Sequence, residues 1–378
     1  MGGQQPPNVV PPAGDTFCRV KDIVRTHCQN CHGAEKAFGA PMSLVTHADL
    51  LAKSPIDGRP NYQVMLDRAQ DATRPMPPSP NPKLSAEQIG ALQAWIAAGR
   101  PDNASCAAPQ PGPGTPDPNC IDCGNYTCEA SKGKPLQLLA HGQARAGDTT
   151  PYDASKIGTN GATDLYQCFY FKAPWTAGQQ SLGYKPVIDN KRVLHHWLLY
   201  ASDKAPADLT DGGMRGRCQA QGDPNRVLLA GWAPGTPGIN LPNGVGQKLP
   251  AGAQAFITLE VHYYNTEPGK PAMDRSGVEL CMANTPQPNV ATQHWLGTEK
   301  INVAPSGMQE TGDMCTPRLT AGQTSTIISV TPHMHKSGIH SKLEVIRQGG
   351  KVETILDKPF EFDNQTTYML PAPVVINP

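Results

Sequence analysis

The sequence predicts a multi-domain chain in which a small all-α unit precedes an all-β region built as an antiparallel sandwich or jelly roll. Three observations carry this expectation. The chain has 378 residues, more than one ordinary domain holds. Helix-period apolar patterns fill the first hundred residues, whereas from about Pro135 short apolar runs alternate with Gly, Pro and Asn. The 39 prolines and 37 glycines, well above the usual combined share of about 12%, fit a turn-rich β protein.

Residues 1–14 read as a disordered N-terminus without a signal peptide, since they have neither a basic region nor an apolar core. Residues 15–102 read as the helical unit. Val20 to Val24 looks like the end of an amphipathic helix that leads into Cys28-Gln29-Asn30-Cys31-His32. C-x-x-C-H is the attachment pattern for a c-type haem: the two thiols add to the vinyl groups and the adjacent histidine binds iron. Downstream, Arg74-Pro75-Met76-Pro77-Pro78 offers the Met76 thioether from an extended, proline-stiffened loop as the second axial ligand. Met42 and Met65 compete for that role, but Met65 falls in an expected helix over 62–69 and reads as core. A second helix is expected over 84–99. Ser85 can cap it, Glu87 and Gln88 sit in its first turn, Ile89, Leu92, Trp95 and Ile96 recur at helical spacing, and Gly99 ends it. His27 and His47 read as surface or packing residues. Cys18 and Cys106 flank the unit and are placed to close it with a disulfide. The segment resembles a small class I cytochrome c domain. That resemblance implies haem c held covalently by Cys28 and Cys31, with His32 and Met76 as axial ligands.

Residues 103–134 form a Pro-rich, semi-stiff linker. Its Cys120, Cys123 and Cys128 have a zinc-ligand spacing but no fourth ligand nearby, so locally paired cysteines, with Cys218 as a further partner, are the better reading. The chain carries 11 cysteines in all. Such a number fits an exported, disulfide-bearing protein, periplasmic or secreted. No apolar run is long enough to span a bilayer. With 32 basic and 32 acidic residues, nucleic acid is excluded as the main partner.

Strands are expected over 168–171, 193–200, 255–264, 326–330 and 343–346, in the β region that begins at about Pro135. Five histidines lie in these apolar, β-prone stretches: His195 and His196, His262, and His333 with His335. Neutral imidazole is the commonest side-chain ligand for copper, zinc and iron. Strand alternation puts His333 and His335 on one face, able to chelate one ion, but turns His195 and His196 apart. Those two share a metal only with a bulge or through different ring nitrogens.

From about Thr163 onward the chain resembles the copper type II, ascorbate-dependent monooxygenases, the family of peptidylglycine α-hydroxylating and dopamine β-monooxygenase. The resemblance rests on the His-His pair, the later histidine in Glu260-Val261-His262-Tyr263, His333-Met334-His335, Asp164 to Cys168, and Ser276 to Cys281. It implies a first, electron-transfer copper on His195, His196 and His262. His333 and His335 would be catalytic ligands of a second, oxygen-activating copper together with a distant methionine. The resemblance also implies a Cys168–Cys281 disulfide and tandem antiparallel jelly-roll domains at 135–288 and 289–378, joined near Pro286-Gln287-Pro288. The only methionine after His335 is Met369, in a context unlike the family's, and Cys315 resembles a cysteine paired near the family's methionine. The C-terminal β domain therefore reads as incomplete. Peptide-amidating members carry an arginine where this chain has Thr331, and Glu260 is closer to the dopamine-hydroxylating branch, so peptide amidation is disfavoured.

The expectation is a copper-dependent monooxygenase, an oxidoreductase that hydroxylates a C–H bond of a small organic substrate with O2. Ascorbate or a one-electron donor protein would reduce it, and the fused haem would transfer electrons. The alternative is a non-enzymatic electron-transfer or copper-binding protein. A zinc hydrolase is weaker, because no Glu sits in a metalloprotease-like helix motif.

Overall fold

The computed structural model describes residues 16–72, 74–78, 81–102, 106, 126–142, 149–175, 177–205, 213–216, 218, 226–294, 296–298, 301–304, 307–312, 314, 324–334, 337–360 and 367–377. Four helices come first: α1 (Thr16–His27), α2 (His47–Leu51), α3 (Asn61–Gln70) and α4 (Ala86–Ala97). Strands follow as β1 (Gly133–Leu139), β2 (Tyr152–Asp153), β3 (Asp164–Lys172), β4 (Gln180–Val187), β5 (Leu194–Ser202) and β6 (Met214–Gly216). The next are β7 (Val227–Trp232), β8 (Ile239–Asn240), β9 (Val245–Lys248), β10 (Phe256–Tyr264), β11 (Met273–Asp274) and β12 (Gly277–Ala283). Last come β13 (Asn289–Ala291), β14 (Ser325–Val330), β15 (His340–Ile346), β16 (Val352–Pro359) and β17 (Tyr368–Ile376).

In the helical part, α1 buries Phe17, Val20, Ile23 and Val24, spaced to form one face. That face meets α4, where Leu92 and Trp95 are buried. The expected cap is present as a full capping box: Ser85 accepts from the Gln88 N–H and the Gln88 side chain reaches back to the Ser85 N–H. Gly99 adopts φ +86 just past the helix, the left-handed conformation that ends many helices. Met65 is buried in the helical core as expected. His47 packs edge-on to Phe17 and Trp95 and donates through Nε2 to the Arg100 carbonyl at 2.9 Å, which makes it a packing residue. Cys18 and Cys106 form a disulfide. Helix α2, begun by a Thr46–Asp49 capping box, was not expected; at five residues it is too short for periodicity to reveal.

The β part is a sandwich. One sheet runs β1-β12-β4-β9-β13 with β8 beside β4, and the other runs β6-β3-β10-β5-β7. Pairing is antiparallel except between β13 and β9. Val278 and Leu280 of the first sheet share one core with Phe169, Trp197, Leu199, Leu259 and Val261 of the second. Each strand spends alternate residues on that core, which fixes what the other face can carry. On the second sheet, Tyr166, Cys168 and Tyr170 of β3 and Thr258, Glu260 and His262 of β10 therefore turn outward. Farther along, β14 pairs β17 and β15 pairs β16 as antiparallel two-stranded units. Among the described residues no helix is long and apolar enough to cross a membrane.

The same parity overturns the implied Cys168–Cys281 disulfide. Phe169 and Leu280 point into the shared core, so their neighbours Cys168 and Cys281 leave opposite outer faces of the sandwich. Cys168 instead pairs with Cys218, and Cys281 with Cys128. Local pairing within the linker is thus corrected for Cys128, while Cys120, Cys123 and Cys315 lie outside the described residues.

Candidate metal centre

His195, His196 and His262 converge at one end of the second sheet. One ring nitrogen of each lies within 4.8 Å of the others, and the ring centroids are 5.2, 4.8 and 4.7 Å apart. A β-bulge makes this possible. On β5 and β10, His196 pairs with His262 but Leu194, not His195, pairs with Tyr263. His195 is the extra residue. Leu194 and Trp197 both enter the core, and between them two successive histidines face outward. A regular strand would have turned one of them inward.

The rings around the trio are ordered. Tyr166 lies flat on His262, with centroids 4.1 Å apart and planes 4° from parallel. It was missed as a site residue, although its place directly opposite His262 follows from the β3–β10 register. Tyr264 meets the His195 ring edge-on at 6.1 Å. Nδ1 of His195 and Nδ1 of His196 are 3.0 Å apart. Burial, reinforced by His195 and then His262, pushes His196 well below its ordinary value, so it is neutral at neutral pH. Three imidazoles crowded in this way, with one held neutral, form a donor set that suits copper or zinc.

Glu260 lies two residues before His262 on the same face, and its carboxylate is 3.1 Å from the Cys218 sulfur. Cys168, Cys218 and Glu260 also cluster, but both sulfurs are committed to their mutual disulfide.

The second pair of histidines lies only partly within the described residues. His333 is exposed and lies beyond Val330, where β14 ends. The strand alternation expected for it does not extend that far, because Pro332 cannot donate a ladder hydrogen bond. His335 lies outside the described residues. Thr331 is exposed, with its hydroxyl 2.8 Å from that of Thr367. His340, at the start of β15, is exposed and contacts Asp357 at 2.6 Å.

In the helical part, Cys28 and Cys31 are thiols, both half-buried. Burial, followed by the neighbouring Cys31, pushes the Cys28 thiol up to about 12. A redox C-x-x-C would need the opposite shift. The helical turn continues through the motif, with the His32 N–H donating to the Cys28 carbonyl at 2.8 Å. His32 Nδ1 is 2.8 Å from the Met42 carbonyl. A carbonyl only accepts, so Nδ1 carries the proton and the Nε2 lone pair is left for a metal. Burial and nearby Arg68 lower the His32 pKa against that bond. Met76 is 36% exposed and donates its N–H to the Arg68 carbonyl at 2.8 Å. Cys28, Cys31 and His32 would suit a covalently held haem by their donor chemistry and by the tautomer of His32.

Residues 152–270 match the family described as copper type II ascorbate-dependent monooxygenase, N-terminal domain. The matched span contains His195, His196, His262 and Tyr166 and the whole of the second sheet, and so supports the copper type II monooxygenase family for this part of the chain.

Proposed function

We propose that the protein is a copper monooxygenase that hydroxylates a C–H bond of a small organic substrate: RH + O2 + 2 e⁻ + 2 H⁺ → ROH + H2O. His195, His196 and His262 would hold the electron-transfer copper. His333 and His335 would serve the oxygen-activating one. Cys28, Cys31, His32 and Met76 would hold haem c in a domain over 15–102. The observation that carries the reading is the bulge at His195, which places three imidazoles on one face within a span that matches the family. Copper would supply one-electron chemistry and O2 reactivity, and haem a reservoir for a single electron. The chain's own contribution is positional. Burial keeps His196 in its ligand form, Tyr166 fixes the plane of His262, and the Met42 carbonyl fixes the tautomer of His32.

Ascorbate or a one-electron donor protein would supply the electrons. Three disulfides among the described residues fit an oxidising compartment, periplasmic or extracellular. Thr331 brings no positive charge to hold a peptide carboxylate, which weighs against peptide amidation. The test is to load the protein with copper, record its EPR spectrum, and measure O2 uptake against product over a panel of phenethylamines, small aromatics and peptides. Product formed one-for-one with O2, and lost in His262→Ala, is expected. Copper binding with no O2 uptake on any compound would make the protein an electron carrier instead.

A further inference from the structure

The loop that follows the C-x-x-C-H motif does not stay with the helices. Ala37 and Phe38 are buried in the core of the β sandwich, and Cys31 packs against that same core. Phe38 donates its N–H to the Lys191 carbonyl at 2.8 Å and sets its ring 5.9 Å from Trp232. It does so at φ +53, a conformation a bulky residue adopts only when its surroundings impose it. Gly39 follows at φ +77. Its backbone lies against the metal centre: a Cβ at this position would be 2.8 Å from Cδ1 of Tyr264 and 3.4 Å from Cδ2 of His195. Glycine is required twice here, by the dihedral and by the space. The loop also closes back on the motif, because the Ala37 N–H donates to the Cys31 carbonyl at 2.9 Å.

A path therefore runs from Cys31 across one hydrogen bond to Ala37, along two residues to Gly39, and from there across a short gap in which a single added Cβ would already lie 3.4 Å from the His195 imidazole. We propose that the Cys31–Gly39 loop is a built-in electron bridge between the haem site and the first copper site, with Gly39 as the positioning residue that permits the close approach. This rests on the function proposed above and adds the route. The step is one electron: ferrous haem and cupric copper give ferric haem and cuprous copper, with no proton or further reactant. An external donor would then need to reach only the haem, and the copper would be served from within the chain.

The test uses full-length protein loaded with haem and copper, kept free of O2 and substrate. Haem is reduced by a laser flash with a photoreductant, and its reoxidation is followed by absorbance while loss of the Cu(II) EPR signal is read in freeze-quenched samples. Wild type should show a first-order transfer whose rate does not change with protein concentration. Gly39→Val should slow it at least tenfold and shift the Cu(II) hyperfine splitting through His195, with haem spectrum and copper content unchanged. Phe38→Ala, which loosens the loop without filling the gap, should also slow transfer and decides the matter if Gly39→Val does not fold. Wild-type rates and an unshifted copper spectrum in the variants would overturn the bridge while leaving the haem's role intact. Absence of any transfer in wild type carrying both centres would overturn the haem's role and the bridge with it.

Discussion

Removing one of the two adjacent histidines on β5 should barely affect the fold. A one-residue deletion in a strand normally reverses every side chain on one side of the cut. Here the register already contains an extra residue: His196 pairs with His262 and Leu194 with Tyr263. Without His195, the order Leu194 inward, His196 outward, Trp197 inward becomes plain alternation, and both core residues stay where they are. The deletion also removes a residue whose ordering costs about 1–2 kcal/mol. The metal-free protein should therefore unfold within about 1 kcal/mol of wild type. Deleting Leu198 is the control. It would turn Trp197 and Leu194, both 0% exposed, out of the core, at about 1.5–3 kcal/mol each. That loss of about 3–6 kcal/mol is large against a typical stability of about 5–15 kcal/mol. Urea unfolding of the metal-free proteins measures both, and copper titration should show the His195 deletion binding far more weakly than wild type. If the two deletions prove equally damaging, His195 is not the bulged residue and the account of the site is wrong.

Three further outcomes follow from particular contacts. Tyr166→Leu removes the ring stacked on His262; an aromatic pair is worth about 0.5–1.5 kcal/mol, so copper affinity should fall about 2- to 10-fold by competition with a chelator, with core stability little changed. Replacing Cys18 and Cys106 by Ala opens a disulfide whose cysteines are 88 positions apart, and should lower the stability of the helical part by up to about 4 kcal/mol, read as a lower melting temperature of its circular dichroism signal. Asp274 is buried and accepts hydrogen bonds from Tyr263 at 2.7 Å, from Ser276 at 2.5 Å and from the Asn190 N–H at 3.1 Å, yet burial raises its pKa above 3.8. The folded state then binds a proton more tightly than the unfolded chain, so this group's contribution falls as pH rises from about 4 through the raised value. Asp274→Asn should abolish that decline in the difference between the two pH–stability curves. An unchanged slope would mean that the hydrogen bonds outweigh burial.

The sequence was most legible where one residue type does one job at a fixed period. Strands β3, β5, β10, β14 and β15 and helices α1, α3 and α4 lie where apolar spacing put them, with the cap at Ser85 and the stop at Gly99. The trio of histidines was legible as a group, and alternation left either a bulge or the use of different ring nitrogens, of which the strand adopts the bulge. Which residue was extra could not be read, because Leu194-His195-His196-Trp197 is compatible with either register until β10 supplies a partner. Cysteine pairing was legible for Cys18 and Cys106, which flank the helical unit, but failed for Cys168 and Cys281 for a related reason. Alternation gives the face a cysteine takes within its own strand, but only the stacking of two sheets shows that Cys168 and Cys281 face away from each other. The loop over 31–39 carried no periodic signal at all. Its Phe38-Gly39 pair reads as an ordinary turn, and its significance comes from Trp232, Tyr264 and His195, which lie more than 150 positions away.

These features together explain why the candidate metal centre sits where it does. Ligands on the inner face of the sandwich would displace Leu259 or Trp197 and cost the core its packing, so the outward face is the only one the strands can spare. An outward face leaves the imidazoles open to water unless something covers them. On one flank Tyr166 does so from within the sheet, at the level of His262. At the His195 end the cover comes from the helical part, as backbone rather than side chain, because Gly39 leaves no room for one. A bulky residue held at φ +53 beside it disfavours the loop by about 1–2 kcal/mol. Burying the Phe38 ring against Trp232 returns a comparable amount, about 1.5–3 kcal/mol. The two nearly cancel, so packing alone gives little reason for a strained phenylalanine and an obligatory glycine to lie against a histidine cluster. The electron bridge proposed above would give one.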